Sequence, residues 1–204
     1  MPASGSIMLH SVAAFHCNQH TNQTEAVVDI FDQHAHNDVV YWSPDPELYK
    51  PYLRSIIKRG RGIGQGAAYR PMFNVRDVPS DGSAHVIKGI KVPRQFHVLS
   101  DLEATHFYVR ERDPKIVDIR ENFPIYDIDW TMEACVRLGI RHTYKNGHPF
   151  PFTLDFVVTE AIDNELTDRV ETIKTPADAG NSEVRKRLSV EANWCRIRPE
   201  APIR

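Results

Sequence analysis

The run T-L-D-F-V-V, residues 153–158, constrains the fold of this chain more than any other stretch. Its aromatic and branched residues specify a buried strand. Asp155 stands in the middle of it, where a carboxylate is costly unless it is paired or ligated. A salt bridge to a neighbouring strand, with Lys174 as the obvious partner, and a metal ion are the two ways to satisfy it.

The pattern around this strand sets the order of elements. S-D-L-E-A-T-H-F-Y-V-R-E-R has Ser100 as a helix N-cap and Glu103 at the third helical position, the arrangement of a capping box, and Asp113-Pro114 stops the helix. K-I-V-D-I-R-E-N-F-P-I alternates as a strand, with Ile116, Asp118 and Arg120 opposed to Val117, Ile119 and Glu121. W-T-M-E-A-C-V-R-L-G-I predicts a short helix capped by Thr131 or Asp129 and closed at Gly139. L-T-D-R-V-E-T-I-K-T is a third strand, and N-S-E-V-R-K-R-L-S-V-E-A-N-W-C a last helix, with Asn181 or Ser182 as cap and Val184, Leu188 and Ala192 inward. V-I-K-G-I-K-V, from Val86, predicts a short strand or hairpin arm. This order predicts an α/β fold, a small mixed central sheet flanked by helices.

Charge is distributed unevenly although the formal net charge of the 204 residues is only −2. Residues 1–49 carry no Lys or Arg and a net charge of −6, residues 50–100 carry +8, and the remainder −4. The division predicted is an acidic N-terminal extension (1–49) and a domain (50–204) made of a basic arm (50–99) and a core (100–204). A local positive field of this kind attracts a polyanion such as a phosphate backbone. Lys58, Arg59, Arg61, Arg70, Arg76, Lys88, Lys91 and Arg94 are the candidate DNA contacts in the arm.

Several classes drop out. No stretch approaches a membrane span and the first residues lack a basic leader, which sets the expectation of a cytoplasmic protein. Cys17, Cys135 and Cys195 form no C-x-x-C pair, so neither a disulfide framework nor a zinc ribbon is indicated. G-R-G-I-G-Q-G follows a helix-like segment, not a strand, and reads as a flexible loop rather than a nucleotide-binding turn. Residues 43–52 read as a turn-rich linker before a short amphipathic helix, and T-E-A-V-V-D-I-F-D-Q as a helix candidate in the acidic extension. His16, Cys17, His20, His34 and His36 lack complete zinc-ligand spacing.

Glu103, Asp155 and Lys174 together match what phosphodiester cleavage requires: carboxylates for a divalent cation, and a lysine to orient the nucleophile or stabilise developing charge. The carboxylate, Asp, x-x-Lys arrangement resembles the restriction-endonuclease-like (PD-(D/E)xK) superfamily. G-A-A-Y-R-P, S-D-L-E, I-R-E-N-F-P-I, L-G-I-R-H, T-L-D-F-V-V, and I-K followed by a helix ending near N-W resemble the TnsA family of transposon endonucleases. The resemblance implies a restriction-endonuclease-like core. It implies Glu103 and Asp155 as metal ligands, Lys174 as the catalytic lysine, and Mg2+ as cofactor with Mn2+ able to substitute. It implies one-strand cleavage at transposon ends alongside a TnsB-type transposase that cuts and joins the other strand, and contact with a TnsC-type AAA+ regulator. Where this superfamily has an acid, or in TnsA often Gln, two positions before the lysine, this chain has Thr172. Strand alternation places Thr172 on the face of Lys174 and Glu171 on the opposite one, which makes Thr172 the further metal-ligand candidate. A hydroxyl is a weaker magnesium ligand than a carboxylate, so a non-catalytic DNA-binding or assembly subunit and a stand-alone restriction or repair nuclease are the alternatives.

Overall fold

The computed structural model describes residues 43–78, 83–163 and 165–197. The helix expected over 24–33 and the histidines of the acidic extension lie outside them. The elements, in chain order, are α1 (Pro51–Lys58), β1 (His85–Lys88), β2 (Gln95–Val98), α2 (Asp101–Arg112), β3 (Ile116–Ile125), α3 (Ile128–Leu138), β4 (Tyr144–Lys145), β5 (His148–Pro149), β6 (Phe152–Ile162), β7 (Glu165–Glu171), α4 (Pro176–Gly180) and α5 (Ser182–Ile197).

The central sheet is three-stranded, β3-β6-β7, and antiparallel throughout; β1-β2 and β4-β5 form separate antiparallel pairs. β6 is the middle strand, and its Phe156 is opposite Glu121 on one side and Glu171 on the other. Strand alternation then gives the sheet two distinct faces. Phe156, Val158 and Ile119 pack under Ala104 and Phe107 of α2 and Phe96 of β2. Val157 packs under Val190 and Trp194 of α5, which join Trp130, Ala134 and Cys135 of α3 in a second apolar cluster. The fold is therefore mixed α/β with an antiparallel sheet between helices, an architecture compatible with a restriction-endonuclease-like core.

Three local outcomes differ from the sequence pattern. The helix after β3 begins at Ile128 with Asp127 as N-cap, so Thr131 lies inside it, donating to the Ile128 carbonyl and facing Nε2 of His142 at 3.0 Å. On α5, Val184, Leu188 and Ala192 are only half-buried, while Val190, Glu191, Asn193 and Trp194 form the covered stripe. The residues expected as a linker also join a core: Tyr49 is buried with Leu53, Ile57, Tyr126 and Ile128.

The glycine-rich loop is docked rather than free. The Gly62 amide donates to the Arg70 carbonyl at 2.6 Å and the Gly66 amide to Oδ2 of Asp118 at 3.0 Å. Gly62 has φ +66°, and a Cβ there would lie 2.1 Å from Cγ of Pro124. Only glycine permits that approach of loop to strand. The hydroxyls of Tyr69 and Tyr126 donate to the carbonyls of Glu121 and Arg61, so the basic arm is bound to β3 at several points.

Candidate active site

Asp155 leaves β6 on the face covered by α5. Its Oδ2 accepts from the Ile173 amide at 2.7 Å and from Nζ of Lys174 at 2.8 Å. Lys174 lies three residues past the end of β7, where its Nζ also donates to the Ile173 carbonyl at 3.1 Å. Burial lowers the affinity of this ammonium for its proton, but the Asp155 carboxylate, with Glu191 and Glu103 behind it, more than offsets that and holds Lys174 above the usual lysine range. The pair proposed from sequence as a bland salt bridge is therefore present. Oδ1 of Asp155 accepts no hydrogen bond among the described residues.

Glu103 arrives from the first turn of α2. Ser100 caps the helix by accepting from the Glu103 amide at 3.2 Å, and the Glu103 carboxylate reaches back to the Leu99 amide at 2.8 Å and the Ser100 hydroxyl at 3.2 Å. Capping does not remove it from the site. Burial raises its pKa, the nearby Asp155 charge raises it further, and Lys174 opposes both. One carboxylate thus terminates a helix and faces the Asp155–Lys174 pair.

A fourth group, Glu191, was not among the residues singled out from sequence. It is buried on α5, and burial together with the Asp155 charge pushes its pKa up to about 8, while Lys174, Arg187 and a hydrogen bond with the Thr172 side chain act against the rise. An acid within a helix rich in Arg and Glu has the pattern of a solvated residue; the one available signal is its neighbourhood, V-E-A-N-W, in which the following Trp194 is buried. Thr172 lies in the site but its side chain is engaged by Glu191. Glu171 is on the other sheet face, bonded to His106 Nε2 at 2.6 Å and to Arg110 and Arg169.

The donor set suits a hard divalent cation. Carboxylate oxygens from Glu103 and Asp155, one of the latter's without a partner among the described residues, are the ligand type hard divalent cations take. Among the described residues no three His, Cys, Asp or Glu side chains are grouped so as to hold a metal ion by themselves.

The cations of the arm separate into two groups. Arg94 is buried against Glu121, with Nη1 at 3.0 Å from Oε1, and lies 3.6 Å from the centroid of Phe96; Lys91 donates to the Asp113 carbonyl. Arg61 bonds to Asp77, Asn74 and the Pro71 carbonyl. Lys58, Arg59, Arg70, Arg76 and Lys88 are exposed.

No family model matches the chain. It is 40% identical over 102 residues to the Tn7 transposition protein TnsA of Escherichia coli, a match covering 50% of this chain and 37% of that relative. The matched region thus spans little more than a third of the relative's length. Through this segment, half its own length, the chain is similar to TnsA.

Proposed function

We propose that this protein is a metal-dependent DNA endonuclease subunit of a heteromeric transposase, cleaving one strand at each transposon end. The observation that carries the reading is Lys174 on Asp155 at 2.8 Å with Glu103 and Glu191 in the same electrostatic field. The similarity to a transposition protein supports it.

Glu103 and Asp155 would hold magnesium, or manganese in its place. A divalent ion bound there supplies polarisation of the phosphoryl group and a hydroxide nucleophile near neutral pH. The rest is done by the chain. Lys174, held protonated by Asp155, presents an ammonium to the charge that develops on the phosphoryl oxygens. Glu191, whose pKa burial and the Asp155 charge push up to about 8, carries a proton at neutral pH while no cation is bound. The Thr172 side chain lies beside Glu191 and favours its ionised form. The Ile173 amide and Lys174 both hold Oδ2 of Asp155, which fixes the direction of Oδ1. A TnsB-type transposase would process the other strand, and a TnsC-type regulator would govern when the two act.

The test is strand-specific nicking of transposon-end DNA with magnesium and the partner transposase, comparing wild type with Asp155→Ala, alongside calorimetric titration of magnesium. Loss of nicking and of magnesium binding is expected; unchanged cleavage would sink the assignment.

A further inference from the structure

Two depressions lie side by side on the basic arm and share Arg59 and Arg61. The first, about 300 Å³, opens between α1 and the β4–β5 hairpin and is lined by Tyr52, Phe73, Phe150 and Lys145. The second, about 380 Å³, has Arg70, Asn74 and His97 in its wall.

The aromatic groups of the first depression are ordered against one another. Phe73 and Phe150 stack with centroids 5.8 Å apart and planes at 27°, Tyr52 and His148 with centroids 4.7 Å apart at 4°, and Nζ of Lys145 is 5.2 Å from the Phe150 centroid. Phe73 and Phe150 are each only half-buried, so part of their surface faces the depression. The one carboxylate in the lining, Asp77, is taken by Arg61 and the Asn74 amide. Among the described residues Arg59, Arg70 and Lys145 form no salt bridge; Arg59 and Arg70 bond only to backbone carbonyls.

Exposed guanidinium groups beside open aromatic faces in a concave site suit a phosphate and the base attached to it. We propose that the paired depressions form a subsite for one unpaired DNA nucleotide, with its phosphate between Arg59 and Arg70 and its base against Phe73 and Phe150. A base inside a duplex has both faces covered by its neighbours and does not fit a walled pocket; an unpaired base does. The subsite is joined to the carboxylates through short connections. The hairpin runs directly into β6, and Arg187 of α5 reaches Thr143 at its base, at 3.4 Å, and Glu191 at 3.9 Å. That the polymer is DNA rests on the endonuclease reading.

The experiment measures binding of the full chain, in EDTA, to a fluorescent oligothymidine of about twelve nucleotides, against a hairpin duplex carrying the same label. Arg59→Ala and Phe150→Ala should each weaken oligothymidine binding about tenfold, an order typical of losing one stacked or phosphate-bonded nucleotide. Phe150→Ala should leave duplex affinity within about twofold, and Phe150→Tyr should restore single-strand binding. Equal single-strand affinity for Phe150→Ala and wild type would overturn the subsite, as would equal losses on both DNAs or no rescue by tyrosine. The nuclease reading fails separately. Phe150-dependent binding without magnesium-dependent nicking would remove the catalytic role and keep the subsite; nicking with Phe150-independent binding would do the reverse.

Discussion

Replacing Gly62 by alanine tests whether the glycine-rich loop is a packed part of the fold. The residue has φ +66°, and the added Cβ would meet Cγ of Pro124 at 2.1 Å, Cδ at 2.6 Å and the Tyr126 hydroxyl at 3.2 Å. The left-handed conformation costs a non-glycine residue about 1–2 kcal/mol, and forcing a methyl into a filled site about 1–3 kcal/mol more. The smaller entropy of the unfolded alanine chain returns roughly 0.5 kcal/mol. The net loss is therefore about 2–4 kcal/mol, a large share of a total stability of about 5–15 kcal/mol. Gly66 is the control: its φ is +53° but a Cβ there would meet nothing within 4 Å. Gly66→Ala should cost only the conformational part, about 1 kcal/mol. Urea unfolding followed by the fluorescence of buried Trp130 and Trp194 reads both variants. If Gly62→Ala and Gly66→Ala lie within about 0.5 kcal/mol of each other, the contact between loop and Pro124 contributes nothing and the loop is not anchored as described.

Three further outcomes are expected. Glu171→Gln removes a fully buried charge that holds His106, Arg110 and Arg169, and should destabilise the protein by about 3–5 kcal/mol in the same unfolding assay; a loss under about 1 kcal/mol refutes the network's role. His142, stacked on Phe152 with centroids 4.8 Å apart, is held below its ordinary pKa of 6.5 by burial, so the folded state binds fewer protons than the unfolded one and stability falls as pH drops through 6.5; NMR titration giving a value above 6.5 contradicts this. Lys174→Met leaves Oδ2 of Asp155 with the Ile173 amide alone and should slow nicking by roughly 10²–10³-fold while the far-ultraviolet circular dichroism is unchanged; an unaltered rate removes Lys174 from catalysis.

What could be read from the chain depended on whether the signal was local. Ser100 and Glu103 sit three apart, a capping distance, and the cap forms as expected. Asp155 was conspicuous because an acid in an apolar strand demands an explanation. The alternation that separates Thr172 from Glu171 likewise carries through to opposite faces of the sheet. Glu191 gave no such warning, because its burial is decided by where α5 docks on the sheet and not by its sequence neighbours. Arg94 shows the opposite error of scale. In a basic block it counts as one more surface cation, yet from the residue before β2 it reaches β3 to neutralise the buried Glu121. The length of the helix after β3 was misjudged for a similar reason: Thr131 has the chemistry of a cap, but its hydroxyl serves His142.

The bonds from the arm to β3 also set a mechanical relation. Gly66 on Asp118, Tyr69 on the Glu121 carbonyl, Met72 on the Asn122 carbonyl and Tyr126 on the Arg61 carbonyl tie the cationic segment to the strand that pairs with β6. The cationic segment and the β3 region are thus bonded directly to one another. On the proposed nuclease reading, a strand held at Arg59 and Arg70 would meet Asp155 at a fixed number of nucleotides along its length, and lengthening the loop between them would move the cut.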